Sequence, residues 1–230
     1  MYRVRTLCLA LMVVFALGTV AAASAAAAEL PEFKTETSGK SSGGTEELTS
    51  TGGSYGCQKL TGEFVKGKTK GTYTLTFSTC TEPKLKLACK SLGDAFNSAS
   101  KPENGTELTG GTWELVAGPK QSPTALMLLK MTELHLECSN STLSITDLFL
   151  LKGDLLGLIT PLKTLSKEFK VEVETTEKPG TKQKEKTYEN DSGTIVEAKL
   201  ENSINGGKAE AAGENLSAAT LMEKETEIEK

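Results

Sequence analysis

The chain has 230 residues, a formal net charge of −4, one histidine and only 5% aromatic residues. There is no basic excess to favour nucleic acid, and a lone histidine argues against a hydrolase triad or a histidine-rich metal site. The length suits one large β sandwich or two small ones.

The first 28 residues have the three-part pattern of a secretory signal peptide. Arg3 and Arg5 form a basic start, Leu7 to Val20 an apolar core, and small residues continue to Ala28. Two small-x-small sites follow, Ala23-Ser24-Ala25 and Ala26-Ala27-Ala28, and the second places cleavage before Glu29. The alternative is an uncleaved anchor, but the apolar run is short for a membrane span. Cys8 lies at the start of the apolar stretch, whereas a lipid-attachment cysteine should follow it. Cleavage removes both arginines and moves the net charge from −4 to −6. It also leaves four cysteines, Cys57, Cys80, Cys89 and Cys138. An even count in an exported chain reads as two disulfides.

Residues 29–53 are rich in Gly, Ser and Thr and read as a flexible arm with at most one weak edge strand. The stretch GCQKLTGEFVKGKTKGTYTLTFSTC, residues 56–80, reads as a hairpin around a Gly/Lys-rich turn. One register sets Leu60 opposite Phe77, Gly62 opposite Leu75 and Phe64 opposite Tyr73, with Thr61 facing Thr76 on the other side. The same register sets Cys57 opposite Cys80, within disulfide reach. Cys89 and Cys138 then pair by elimination from three possible connectivities. Each ends an alternating run, Leu85-Leu87-Cys89 and Leu134-Leu136-Cys138, and so points inward with leucines. A zinc site is the rival, but the cysteines lack the close pairs that structural zinc uses.

Further strands are predicted at Pro83–Lys90, around Trp113 to Val116, and over Ala125–Cys138. Two more, Thr142–Leu151 and Leu155–Ile159, are separated by Lys152-Gly153-Asp154. A short helix is the alternative in that last region. Residues 54–160 thus form a disulfide-bearing β domain. Residues 161–230 are more charged but keep strand periodicity at Phe169, Val171 and Val173 and at Val196, Ala198 and Leu200. They read as a separate polar β unit or an extension of the first sheet. Residue preference allows a helix over 208–224, although Gly213 and Asn215 weaken it, and strand pairs are the preferred reading. The fold class is all-β: an antiparallel sandwich or barrel-like sheets, disulfide-stapled, with a polar β-rich C-terminal part.

Two stretches carry a resemblance. Phe77-Ser78-Thr79-Cys80 ends one strand, and Gly153-Asp154-Leu155-Leu156-Gly157-Leu158-Ile159-Thr160-Pro161 forms another. With the leader and the paired cysteines, the chain resembles uncharacterised secreted, cysteine-paired β proteins of soil actinobacteria. The resemblance implies a secreted all-β protein and no particular activity.

His135 alternates with Leu134 and Leu136 and so belongs on the outer face with Glu133 and Glu137, where a weak cation site is conceivable. No pair of carboxylates stands out as a glycosidase acid and nucleophile. Trp113 is expected to pack in the core. The sequence holds no P-loop, dinucleotide fingerprint, nucleophile elbow or EF-hand loop. The expectation is a secreted, non-enzymatic β protein, structural, adhesive or binding at the cell surface. Its expected partner is the cell envelope or an extracellular polymer. No nucleic acid, cofactor, metal, catalytic residue or membrane span after cleavage is expected. The alternative is a secreted hydrolase or carbohydrate-binding module that uses acids near Trp113.

Overall fold

A computed structural model describes residues 30–92, 106–119, 124–176 and 183–229. The expected signal peptide lies outside the described residues. The described residues form strands β1 (Glu32–Phe33), β2 (Thr37–Gly43), β3 (Glu46–Ser50), β4 (Ser54–Cys57), β5 (Lys59–Gly67) and β6 (Lys70–Ser78). Next come β7 (Thr81–Glu82), β8 (Leu87–Ser91), β9 (Thr106–Ala117), β10 (Ala125–Asn140), β11 (Ile145–Thr160) and β12 (Ser166–Val173). The last are β13 (Thr187–Glu189), β14 (Ile195–Glu197), β15 (Leu200–Ile204), β16 (Glu210–Thr226) and β17 (Ile228–Glu229).

All these strands pair antiparallel, and the pairing closes on itself. One circuit runs β10–β11–β12–β16–β2–β5–β6–β9 and returns to β10. A second runs β10–β11–β15–β16–β3–β4–β7–β8 and returns to β10. The long strands β10, β11 and β16, of 16, 16 and 17 residues, belong to both circuits and join them end to end. The other staves break at the seam: β2 continues as β3, β5 is the continuation of β4, and β6 continues as β7. The architecture is one elongated, eight-stranded closed barrel, the barrel-like member of the two forms expected.

Side-chain alternation explains the closure. On β5 and β6, Leu60, Phe64, Tyr73, Leu75 and Phe77 are buried inward, while Lys59, Thr61, Glu63 and Thr72 face out. Eight strands enclose a space just wide enough for side chains to fill. The core fills it continuously through both circuits. In the first circuit Phe33 enters from one end and meets Phe169 and Trp113 edge-on at 5.4 and 6.0 Å. The space left beside these rings is about 10 Å³, about the least that a water needs. Apolar inside and polar outside is the reverse of a transmembrane barrel. Among the described residues no helix is long and apolar enough to cross a membrane.

Three expectations change. Residues 29–53 were expected as an arm, but β2 and β3 lie inside the sheet, between β16 and β4–β5. Apolar periodicity is faint there because small polar groups fill that arc of the barrel. Ser41 and Thr220 are both buried, with their hydroxyls hydrogen-bonded at 2.7 Å. Gly39 leaves room for Met222, whose sulfur lies 2.7 Å from where a Cβ would sit. The predicted strand over Pro83–Lys90 is shorter, and Leu85 is exposed. The buried Glu82 carboxylate accepts the amides of Lys84 and Leu85 and folds that segment into a turn. Of the two forms expected for 161–230, the pairing is that of an extension of the first sheet, since β12 pairs β11 and β16 pairs β2. The segment that residue preference alone would allow as a helix is the strand β16, as preferred, because tertiary pairing on both edges overrides that preference.

The third concerns Lys152-Gly153-Asp154. Two strands were expected around it, yet β11 runs straight through. Opposite this point β10 carries a bulge between Met131 and Leu134. Here the outer neighbour of β11 changes from β12 to β15. Gly153 makes the change possible with φ of 120°, and a Cβ there would lie 1.9 Å from the Lys199 carbonyl oxygen. Gly153→Ala is therefore expected to cost about 2 kcal/mol from the strained backbone alone, before the clash is relieved. Thermal melting against Gly153→Ser and the parent checks this. An unchanged midpoint for both would mean that the seam does not need glycine.

Candidate functional site

The cysteines occupy the seam and the second circuit. Cys57 ends β4 and bonds Cys80 between β6 and β7, at the level where those staves bend. The predicted hairpin register holds residue by residue, from Leu60 opposite Phe77 to Phe64 opposite Tyr73. Cys89 of β8 lies opposite Cys138 of β10, and the two are bonded. All four are buried in the core. Disulfides of this kind persist in oxidising compartments.

The interior also holds a pair of acids that the sequence reading did not single out. Glu46 on β3 and Glu214 on β16 are diagonal neighbours on the inward face, both buried, and their side chains are hydrogen-bonded. A hydrogen bond between two carboxyl groups requires one to carry a proton. Burial pushes the Glu214 carboxyl up to about 7, partly offset by the bond to Glu46. Tyr73, on the facing wall, is held well above the ordinary phenol range by burial, with Glu214 adding to the shift. The signal was faint: Glu46 lies in the Ser/Thr-rich stretch and Glu214 in a run with helical preference. Carboxyls in direct hydrogen-bond contact are closer than the ~5 Å that a retaining glycosidase keeps between its acid and nucleophile.

A second cluster lies outside the barrel wall. The hairpin β13–β14 packs Tyr188 and Val196 over Val116, Leu126, Leu128 and Leu156, so the run Ala125 to Leu129 is buried on both faces. At its edge Lys130 binds Glu114 at 2.8 Å and faces Asp154 across the ladder. Partial burial raises the Asp154 carboxyl, and nearby Lys130 offsets some of that shift.

The residues weighed for chemistry do not converge. Trp113 is buried, with its indole N–H donating to the Val65 carbonyl at 3.3 Å, so it offers no platform to a sugar. His135 is on the outer face, as expected, 3.2 Å from Glu133, while Glu137 turns to Lys90 at 3.4 Å. Among the described residues no three His, Cys, Asp or Glu side chains gather as a metal site would require. His135→Ala is expected to shift stability by no more than about 0.5 kcal/mol, as for other surface changes. A larger loss in urea unfolding would assign His135 a structural role. Comparison of the chain with family models, curated proteins and solved structures returned no match.

Proposed function

We propose that this is an exported, non-enzymatic β-barrel protein that works at the cell surface, as a structural, adhesive or binding component. The observation that carries this reading is the barrel itself, which has a filled interior, two buried disulfides and a polar outer wall. A filled barrel offers its outer wall and ends, rather than its lumen, to other molecules. Buried disulfides fit an oxidising, extracytoplasmic setting. The leader-like first 28 residues and the resemblance to secreted β proteins point the same way. Fractionation of cells expressing the full chain tests it. The shortened protein is expected in washed envelopes and to bind them again after purification. Recovery only from the medium with no envelope binding, or from the cytoplasm, overturns the reading.

A further inference from the structure

The second circuit is made of four hairpins, β3–β4, β7–β8, β10–β11 and β15–β16, so its free end consists of four turns. These turns are residues 51–53, 83–86, 141–144 and 205–209. Their charged residues are Lys84, Lys86 and Lys208, and they hold no acid, although the whole chain is acidic. All three lysines are exposed, and none forms an ion pair among the described residues. The acids close behind the turns are engaged. Glu82 is buried, and Asp147 accepts the Asn205 amide group at 2.9 Å.

Two of the turns are built alike. In residues 83–86 the Glu82 carboxylate accepts the amides of Lys84 and Leu85, at 3.0 and 2.7 Å. In residues 141–144 Asn140 Oδ1 accepts the amides of Thr142 and Leu143, at 2.9 and 3.2 Å. Each turn closes on a residue with φ of 53°, Lys86 in one and Ser144 in the other, a conformation uncommon outside glycine. Each holds a leucine out to solvent at its third position, Leu85 at 44% and Leu143 at 52% exposure. The two turns are neighbours, because β8 lies beside β10 with Ala88 opposite Ser139. Side-chain bonds thus fix two adjacent leucines in water, where their apolar area is unfavourable. Leucines rimmed by unpaired lysines match the boundary of an anionic bilayer, which offers acyl chains to the former and phosphates to the latter.

We propose that this end of the barrel docks on a membrane surface bearing anionic lipid, with Leu85 and Leu143 entering the headgroup region and Lys84, Lys86 and Lys208 meeting the phosphates. The barrel then lies against the bilayer and does not cross it. The proposal rests on the cell-surface reading and names the partner.

Flotation of the purified, oxidised full chain with vesicles tests it. One set contains phosphatidylglycerol and phosphatidylcholine, the other phosphatidylcholine alone. Binding to the first set is expected, with clear preference over the second and loss as salt is raised. Leu85→Ser with Leu143→Ser should weaken it by about tenfold or more. Lys84→Gln with Lys86→Gln should weaken it by about tenfold on the anionic set. All four positions are exposed turn residues, so both variants should melt close to the parent. Leu143→Trp supplies a second reading that needs no loss of binding. Its fluorescence should shift to the blue with anionic vesicles and be quenched by brominated lipid, while buried Trp113 stays constant. No binding to the anionic set, equal binding to both sets, or full binding by both double variants overturns the proposal. If delipidated envelopes bind the protein while vesicles do not, this proposal falls and the cell-surface reading stands.

Discussion

Replacing Cys89 and Cys138 together by alanine is expected to lower the unfolding free energy by about 4 kcal/mol, and replacing Cys57 and Cys80 by about 3 kcal/mol. The order follows from the loops they close, because the first bridge spans 49 residues and the second 23. A longer loop loses more freedom when the unfolded chain is cross-linked, although the dependence is only logarithmic. Position in the barrel points the same way. Beyond Met131 the neighbour of β10 changes from β9 to β8, and the four pairs between β8 and β10 close the second circuit on that side. Cys89–Cys138 lies among those four pairs. Cys57–Cys80 ties staves whose ladder already runs through seven consecutive pairs from Lys59 to Val65. Urea unfolding of the two double variants measures both losses. Losses under about 1 kcal/mol would be far below the range for native bridges. A reversed order would mean that loop length does not govern their effect.

The parts of this fold that were legible are those where two independent patterns agree. In residues 56–80, apolar alternation and cysteine spacing select the same register, and the barrel uses it. Leu134, Leu136 and Cys138 are all buried, as their alternation required. Legibility failed where the inside of the barrel is not hydrocarbon. Residues 37–50 turn Thr37, Ser41, Glu46 and Ser50 inward beside Leu48, and such a set resembles a solvated arm when read alone. Ser41 and its partner Thr220 on β16 lie 179 residues apart, so no local pattern reveals that they will meet. The seam at Gly153 was visible as an interruption, but its meaning was not. A glycine between charged residues ordinarily ends a strand, whereas here it lets β11 exchange one neighbour for another. Glu46 and Glu214 were hidden for a related reason. Each is a polar residue in a polar stretch, and only the closed barrel buries it.

The buried acid pair gives the second large effect: the protein is expected to be more stable at pH 5 than at pH 8, by roughly 3 kcal/mol less what relaxation recovers. Burial raises the Glu214 carboxyl from 4.5 to about 7. Between those values the folded chain keeps a proton that the unfolded chain has released. Stability therefore falls with rising pH across this window, is fully present below it and levels off above it. Asp154, raised by its partial burial, acts in the same direction. Tyr73 faces the pair but is neutral across this range, and burial only moves its titration further from it. Glu214→Gln separates these contributions. A glutamine amide can donate to Glu46 at any pH, so most of the slope between pH 5 and 8 should vanish and the variant should exceed the parent at pH 8. Urea unfolding at both pH values, on both proteins, reads this directly. Equal stability of the parent at pH 5 and 8, or an unchanged slope in Glu214→Gln, would show that Glu214 does not hold the proton. Since the pair lies one cross-strand step from Cys57, the same proton also sets how firmly β3 and β16 close the wall beside that bridge. At pH 8 hydrogen exchange of the Glu47 and Asn215 amides should be faster than at pH 5 by more than the intrinsic pH dependence of exchange, and Glu214→Gln should remove that excess.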